Sequence, residues 1–475
     1  FRESTDADAD PVGSRVGHQR NRPLNKTTPK RRPLVRQRMA ILVCLLCVPT
    51  MASAQAPYNL YTPVKNLATL FTELYGPNGL VVDSEATLPG EQPHSAHFNS
   101  SFQFDFSQFG TALVNQIVTA PLPSPASGFT YQFDSSLGVF QRTTQSFGPI
   151  LAERWETIGA KRVSFGFAAQ RFAFDTVEGI DLAKVPAVFT HDNAQLLGGR
   201  QDVVTTVNSI SASVGQFTTF VTLGVTDRFD VSIAVPVIST SLKVVSDATI
   251  QRLGTTNPLT HFFRQSDGET VGNRRLFTAA GEASGLGDVT IRLKSALAHR
   301  GTSGFSAGVD IRLPTGDEMN LLGTGATGIQ PFAIASTSFQ NVSPHANLSY
   351  QWNGSSVLAG NPPTGTSASF PDQVQYALGA DVAVNSHFTL VLDFLGRYSI
   401  NAERLRQEDF HALDGQSVFS NVTFFRDSFQ MLNGSIGAKV NVFGRLLVDA
   451  NLLFSLDDHG VRDKITPLIG FEYSF

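Results

Sequence analysis

The 475-residue chain has two cysteines, two tryptophans and four methionines, and only 16% of its residues are charged. Both cysteines, Cys44 and Cys47, fall in one apolar stretch near the N-terminus, "RQRMAILVCLLCVPTMASAQA" (36–56). Paired arginines, an apolar run from Ala40 to Val48 and the small residues Ala52-Ser53-Ala54 are the parts of a secretory signal peptide, expected over 36–54. Leu46 is too large for the lipoprotein signal that Cys47 would otherwise suggest. Once the leader is removed the exported chain carries no thiol, which excludes disulfides and cysteine catalysis. No other stretch reaches eighteen apolar residues, so membrane-spanning helices are excluded as well. Basic charge is also scarce. Beyond residue 54 the chain has 26 Lys and Arg against 36 Asp and Glu, a net of -10, which argues against nucleic acid as a partner. Residues 1–35 contain no Met and are rich in Arg and Pro; they are read as an upstream segment outside the fold, with translation expected to start at Leu34, Val35 or Met39.

What the chain does have is 37 Phe, 40 Gly and 24 Pro, at a mean hydropathy of -0.02, too apolar for disorder. From about Phe129 onward, segments of roughly ten residues alternate apolar and polar between turn-rich stretches, the pattern of a transmembrane β-barrel. In "FTLVLDFLGRYSI" the residues Phe388, Leu390, Leu392, Phe394 and Tyr398 share one face, opposite Thr389, Asp393 and Arg397. "ANLSYQW" (346–352) and "VTIRLKSAL" (289–297) alternate in the same way. Short connections, at Gly159–Lys161, Thr226–Arg228, His299–Gly304, Asn341–Pro344, Val384–His387 and Phe443–Arg445, take turns with long ones at 176–201, 251–284, 314–327, 354–371 and 401–428. Such strict alternation predicts an all-β, antiparallel, up-and-down barrel over 128–475 with about fourteen strands, short turns in the periplasm and long loops outside. The closing "IGFEYSF" sets Ile469, Phe471, Tyr473 and Phe475 on one face, as a lipid-facing last strand requires.

Residues 55–127 differ. "TPVKNLATLFTELYG" offers Thr62 as N-cap, Pro63 in the first turn and Val64, Leu67, Phe71 and Leu74 on one face. A second amphipathic stretch covers Ser107–Thr119. These residues are expected to enter the barrel from the periplasm as a short helical plug, since their apolar faces must be buried somewhere. On that reading Phe102, Phe104, Phe106 and Phe109 meet inward Phe172 and Phe174 and line a solute path.

If apolar residues face lipid, then Asp288, Arg292, Lys294, Asp310, Arg312, Asp381, Asp393, Arg397, Lys439 and Asp449 face the lumen, because charge on the lipid face would cost about 2–4 kcal/mol at the midplane. Counting back from the turns pairs Lys439 with Asp449 and Lys294 with Asp310. Mutual neutralisation that braces the barrel is the plainer role for these pairs, and conduction the sharper one. "GTGATG" (323–328) satisfies the dinucleotide-binding glycine pattern but lies between two antiparallel strands rather than between strand and helix, and reads as a flexible loop. The histidines fall mostly in loops and turns; only His94 and His97 are closely spaced, so no metal or other cofactor is expected. With no strand-interior histidine to activate a serine, a hydrolase is disfavoured and the protein is expected not to be an enzyme.

The stretches "GLGDVTIRLKSAL", "FSAGVDIRLPTGD" and "LGTGATGIQPFAIAS" resemble a family of Gram-negative outer-membrane proteins named as transporters of the meta-cleavage pathway of phenol degradation. The matching residues are Gly285–Asp288, Leu313–Asp317 and Leu322–Gly325, with Val225–Val237 in support. This resemblance implies handling of aromatic compounds and supplies no catalytic residue. The general plan is also similar to the long-chain fatty-acid channel, a barrel closed by an N-terminal hatch. The last residues resemble the C-terminal signal of outer-membrane proteins, carried by Gly470, Tyr473 and Phe475, which implies the barrel assembly machinery as a partner; Leu468 stands where that signal is usually polar. Two functions follow as expectations: a channel or transporter in the cell outer membrane for a small hydrophobic or aromatic solute, or a structural, surface-binding barrel whose lumen stays sealed.

Overall fold

The computed structural model describes residues 62–75, 79–85, 96–99, 131–134, 139–142, 145–191, 199–264 and 271–475. The expected signal peptide and upstream segment lie outside these residues.

Twelve antiparallel strands close into one barrel. They are β1 (Val163–Phe174), β2 (Val203–Thr226), β3 (Phe229–Gln251), β4 (Arg274–Leu286, resuming as Val289–Arg300), β5 (Ser303–Leu313) and β6 (Gly328–Ser336). The second half is β7 (Val342–Asn353), β8 (Gln373–Asn385), β9 (Phe388–His411), β10 (Val418–Phe443), β11 (Leu446–Ser455) and β12 (Ile465–Ser474). Both parts of β4 pair with β3, which makes them one strand broken at Gly287-Asp288. Closure is by β12 on β1, from Leu468 opposite Gln170 to Ser474 opposite Ser164. A closed barrel leaves no unpaired edge in lipid.

Fourteen strands were expected and twelve are found. Tyr131–Asp134 and Val139–Arg142, in the stretch where the barrel was expected to begin, form a hairpin that among the described residues pairs only with itself. The turns confirm the alternation: Asp227-Arg228, Gly301-Thr302, Ser386-His387 and Gly444-Arg445 close one rim. Two of the expected long loops contain substantial strand. β4 begins at Arg274, and β9 and β10 stay paired up to His411 and Val418.

The exposed large apolar side chains form the outer band, among them Phe217, Leu223, Ile233, Val237, Leu348, Trp352, Leu392, Phe394, Ile469 and Phe471. Several strands are 9–12 residues long, β5, β6, β7 and β12 among them, enough to cross a bilayer. Above this band β2, β3 and β4 keep going and their polarity inverts. On β3 the outward residues Ile233, Val235 and Val237 give way to Ser239, Ser241 and Lys243, while inward Asp230 and Ser232 give way to Ile238, Leu242 and Val244. β2 switches at the same level, because Gly215 is opposite Ser239 and Phe217 opposite Val237. Below that level the wall is apolar outside, as lipid demands; above it the wall is apolar inside, as water demands.

The upper interior is one apolar cluster. It joins Leu67, Leu70, Phe71 and Leu74 to Ile210, Val214, Leu242 and Val244 of the wall and to Phe172, Phe174 and Phe189. The described part of the N-terminal segment therefore packs at the long-loop end, with Thr62 and Pro63 lying parallel to Ala279 and Ala280 of β4; the expected periplasmic entry falls on residues outside those described. Among the described residues its helix is a single turn, Leu70–Glu73, preceded by a 3-10 turn over Leu67–Thr69. Tyr75 donates to or accepts from Ser246 at 3.0 Å, and burial pushes its phenol pKa up. The amphipathic stretch 107–119 lies outside the described residues.

Candidate functional site: a charged lumen crossed by a strap

Immediately before β1, residues 146–159 cross the lumen at the short-turn end, and every one of them is buried. The segment lacks secondary structure, so its backbone groups need side-chain partners from the wall. Thr389 Oγ1 accepts from Phe147 N at 2.9 Å, Asn347 Oδ1 from Glu153 N at 2.7 Å and Ser336 Oγ from Trp155 N at 3.0 Å. Asp230 Oδ2 accepts from Ile158 N at 2.9 Å. Lys294 Nζ donates to the carbonyls of Arg154 at 2.6 Å and Glu156 at 2.9 Å.

Ion pairs fix the same strap. Arg154 pairs with Asp381, both almost fully buried, and also donates to Ser146. Glu153 pairs with Arg292 and lies 3.1 Å from Lys294. The Trp155 ring stacks on His299 with centroids 5.1 Å apart, and its Nε1 donates to Thr302 O at 3.2 Å. Gly304 makes that position possible, since a Cβ there would overlap the indole. Gly224 has the same role where Gly159 crosses: a Cβ would collide with the Gly159 carbonyl.

The ten charges named from the sequence are placed as follows. Asp288, Lys294, Asp310, Arg312, Asp381, Asp393, Lys439 and Asp449 are buried, and Arg292 and Arg397 are half-buried. Lys439 is opposite Asp449 in the β10–β11 register, and its Nζ is 4.0 Å from Glu472. Lys294 is not opposite Asp310. The turn is only Gly301-Thr302 and a bulge falls at Leu297, so Lys294 meets Gly308 and Arg292 takes Asp310. That pair is bidentate, with Arg292 Nε and Nη2 donating to the two oxygens of Asp310 at 2.7 and 2.6 Å. Arg292 also lies over the Phe332 ring, 4.9 Å from its centroid.

Three of the stretches that carry the family resemblance meet at Asp288. Its Oδ1 accepts from Gly316 N at 3.1 Å, and its Oδ2 accepts from Thr324 N at 2.8 Å and Thr324 Oγ1 at 2.6 Å. The 314–327 connection is thus folded inward, with Leu321, Leu322 and Ala326 in the apolar cluster. The "GTGATG" stretch is a bound corner rather than a free loop: Gly316 and Gly323 touch backbone to backbone, where neither could carry a Cβ.

His345 corrects the reading that no histidine lies inside a strand. It is buried on β7, with Nε2 2.7 Å from Asp393 and Nδ1 3.5 Å from Asp381. Its neighbours are carboxylates, so the geometry is that of a buried charge network. Phe172 and Phe174 stack at 5.9 Å in the upper cluster. Phe102, Phe104, Phe106 and Phe109 lie outside the described residues, as does His94. The strap was missed because it has no periodicity; its only signal is "LAERWET", charge beside aromatic and aliphatic residues just ahead of the first strand.

Between the strap and the upper cluster a partly open space of about 220 Å³ remains, bounded by Leu151, Ala152 and Glu153 below and Phe172 above. Its walls carry Arg292, Asp310, Arg312, Gln330, Gln351, Gln375 and Arg397.

Among solved structures, an outer membrane channel from Pseudomonas putida F1 is similar at 12% identity, covering 68% of this chain and 98% of that one, with a TM-score of 0.40. A Pseudomonas aeruginosa FadL homologue is similar at 11% identity, covering 66% and 89%, with a TM-score of 0.29. The CymD monoaromatic hydrocarbon channel is similar at 10% identity, covering 66% and 89%, with a TM-score of 0.31. At these values the likeness carries no argument about function. No curated protein matches the chain. The family model described as "Putative MetA-pathway of phenol degradation" matches residues 198–416, a span that contains all three stretches meeting at Asp288. The molecule is an outer-membrane β-barrel, and over those residues it is similar to that family.

Proposed function

We propose that the protein is a channel that passes a small hydrophobic or aromatic solute across the outer membrane, and that its path is closed in this conformation by the strap below and the N-terminal segment above. The observation that carries this reading is the space left at mid-barrel. A barrel serving only as a scaffold gains by filling its interior, since unfilled volume forfeits packing; here polar walls surround room for a solute. The strap supports it further, because its anchors are polar and ionic and can be exchanged for water when it leaves. The family model described for phenol degradation supports a ring compound as the solute. We assign Gly470, Tyr473 and Phe475 to recognition by the barrel assembly machinery.

The second reading, a sealed barrel that binds a partner through its outer face, is favoured by one observation: the lumen is blocked at both ends. Uptake by a strain lacking the gene, measured over a panel of phenols, fatty acids and sugars with and without the protein restored, separates the two. Faster entry of phenols alone supports the channel; equal entry of every solute in both strains overturns it.

A further inference from the structure

The short turns carry charge of one sign. Across 159–162, 226–229, 300–303, 337–342, 385–388 and 443–446 the basic residues are Lys161, Arg162, Arg228, Arg300 and Arg445, and the one carboxylate is Asp227. Beyond residue 54 acids outnumber bases, so this rim departs in sign from the rest of the chain. Asp227 is already engaged, its Oδ1 accepting from Ala160 N at 3.0 Å. Lys161, Arg228, Arg300 and Arg445 are exposed, and among the described residues none of these four stands in an ion pair. At the long-loop end exposed arginines are interleaved with acids instead, as in Arg274–Asp247, Arg406–Glu408 and Arg426–Glu403. The four unpaired cations occupy consecutive positions round the barrel: the β10–β11 turn, the entry to β1 beside β12, the β2–β3 turn and the β4–β5 turn.

Their depth is set by apolar neighbours. Phe443, Phe339 and Phe475 are 66%, 64% and 60% exposed, and rings so bare on a barrel wall belong at the boundary of the hydrocarbon. Arg445 follows Phe443 by two residues. Phe475 N donates to Val163 O at 2.8 Å, which sets that ring beside the residue two after Lys161. At 3.2–3.4 Å per residue the cations stand within roughly 7 Å of the rings, at the level of lipid headgroups. The short-turn end of an outer-membrane barrel faces the periplasm, where the leaflet is phospholipid. Cations spread over separate turns at one depth follow a leaflet surface, whereas a protein partner needs a contiguous face. Attraction of each to an anionic surface is worth about a fivefold gain in association, and salt screens it.

We propose that this rim binds anionic phospholipid headgroups of the periplasmic leaflet, their phosphates lying along the arc from Arg445 through Lys161 and Arg228 to Arg300. The inference goes beyond the channel reading and does not depend on it. The test is native mass spectrometry of the full barrel, titrated in detergent with dioleoylphosphatidylglycerol and separately with dioleoylphosphatidylcholine, two headgroups on identical chains. The unaltered protein should hold phosphatidylglycerol at least about fivefold more tightly, and added salt should shrink the difference. Lys161→Gln, Arg228→Gln, Arg300→Gln and Arg445→Gln combined should abolish the preference. Arg228→Lys, Arg300→Lys and Arg445→Lys combined, which keep the charge, should retain it, as should Arg275→Gln at the long-loop end. Equal retention of the two lipids by the unaltered protein overturns the proposal whether or not the variants fold, and leaves the arc to an acidic protein partner. A fourfold Gln variant that keeps the full preference overturns it too, because the lipid would then sit elsewhere. So does loss of the preference in Arg275→Gln, which would report net charge rather than the arc.

Discussion

Replacing Arg154 by Gln removes the charge that ties the strap to the wall while keeping a side chain of similar length. In the closed conformation Arg154 and Asp381 are 3% and 0% exposed, so the substitution leaves a carboxylate buried with His345, 3.5 Å away, and the Ser146 hydroxyl to offset it. Breaking a buried pair from one side costs about 3–5 kcal/mol. That cost falls on the closed state alone, because withdrawal of the strap admits water to Asp381. The ratio of closed to open barrels should then fall by a factor of about 150 to 4,000. Single-channel recording in planar bilayers reads this directly as longer or more frequent openings. Heat-modifiable migration on gels checks that the variant barrel is folded. A folded variant whose open probability equals that of the unaltered protein would refute the idea that this pair holds the strap shut.

Three other outcomes follow from the same structure. Leu392→Lys, on the outer face at mid-band and 48% exposed, should lose about 2–4 kcal/mol in reversible unfolding from lipid vesicles; Ser209→Lys, outward on the water-exposed part of β2 and opposite Val245, should change stability by less than about 0.5 kcal/mol. Asp288→Asn weakens the bonds to Gly316 and Thr324, so the 314–327 connection should become susceptible to added protease in intact cells while the barrel stays folded. Deleting Phe475, which is 60% exposed at the end of β12 with its ring 4.8 Å from that of Tyr473, should lower the yield of assembled barrel in the outer membrane without altering the activity of the molecules that do assemble.

The wall was largely legible in the sequence because lipid imposes one rule on every strand, outward apolar at every second position, and "FTLVLDFLGRYSI" obeys it without help from the rest of the fold. The upper part was harder to read for a physical reason. Above Val237 the outward residues Ser239, Ser241 and Lys243 are polar and the inward ones apolar, so the alternation survives with its sense reversed, and it looked like the start of a loop. The 131–142 hairpin has the right period yet among the described residues pairs only with itself, which periodicity cannot tell. The strap is the reverse case: it has no period, and its meaning lies in partners such as Asp381 and Lys294, more than a hundred residues away in the chain. His345 escaped notice because it is only the fourth residue of a strand whose preceding turn is longer than two residues, where the boundary is weakly marked. Pairing by counting succeeded at Lys439 and Asp449, across a tight turn, and failed at Lys294, where a bulge intervenes.

The central claim is that solute passes through the lumen and that the strap decides when. Ser146 Oγ on the strap and Ser343 Oγ on β7 are 3.3 Å apart, and the chain has no cysteine beyond Cys47, so Ser146→Cys with Ser343→Cys can tie the strap to the wall reversibly. Uptake of labelled phenol into proteoliposomes should be absent with the pair oxidised and return on reduction to the rate of the unaltered protein. Uptake that is equal in the oxidised and reduced states would contradict the account, because solute would then be crossing by a route that the strap does not control.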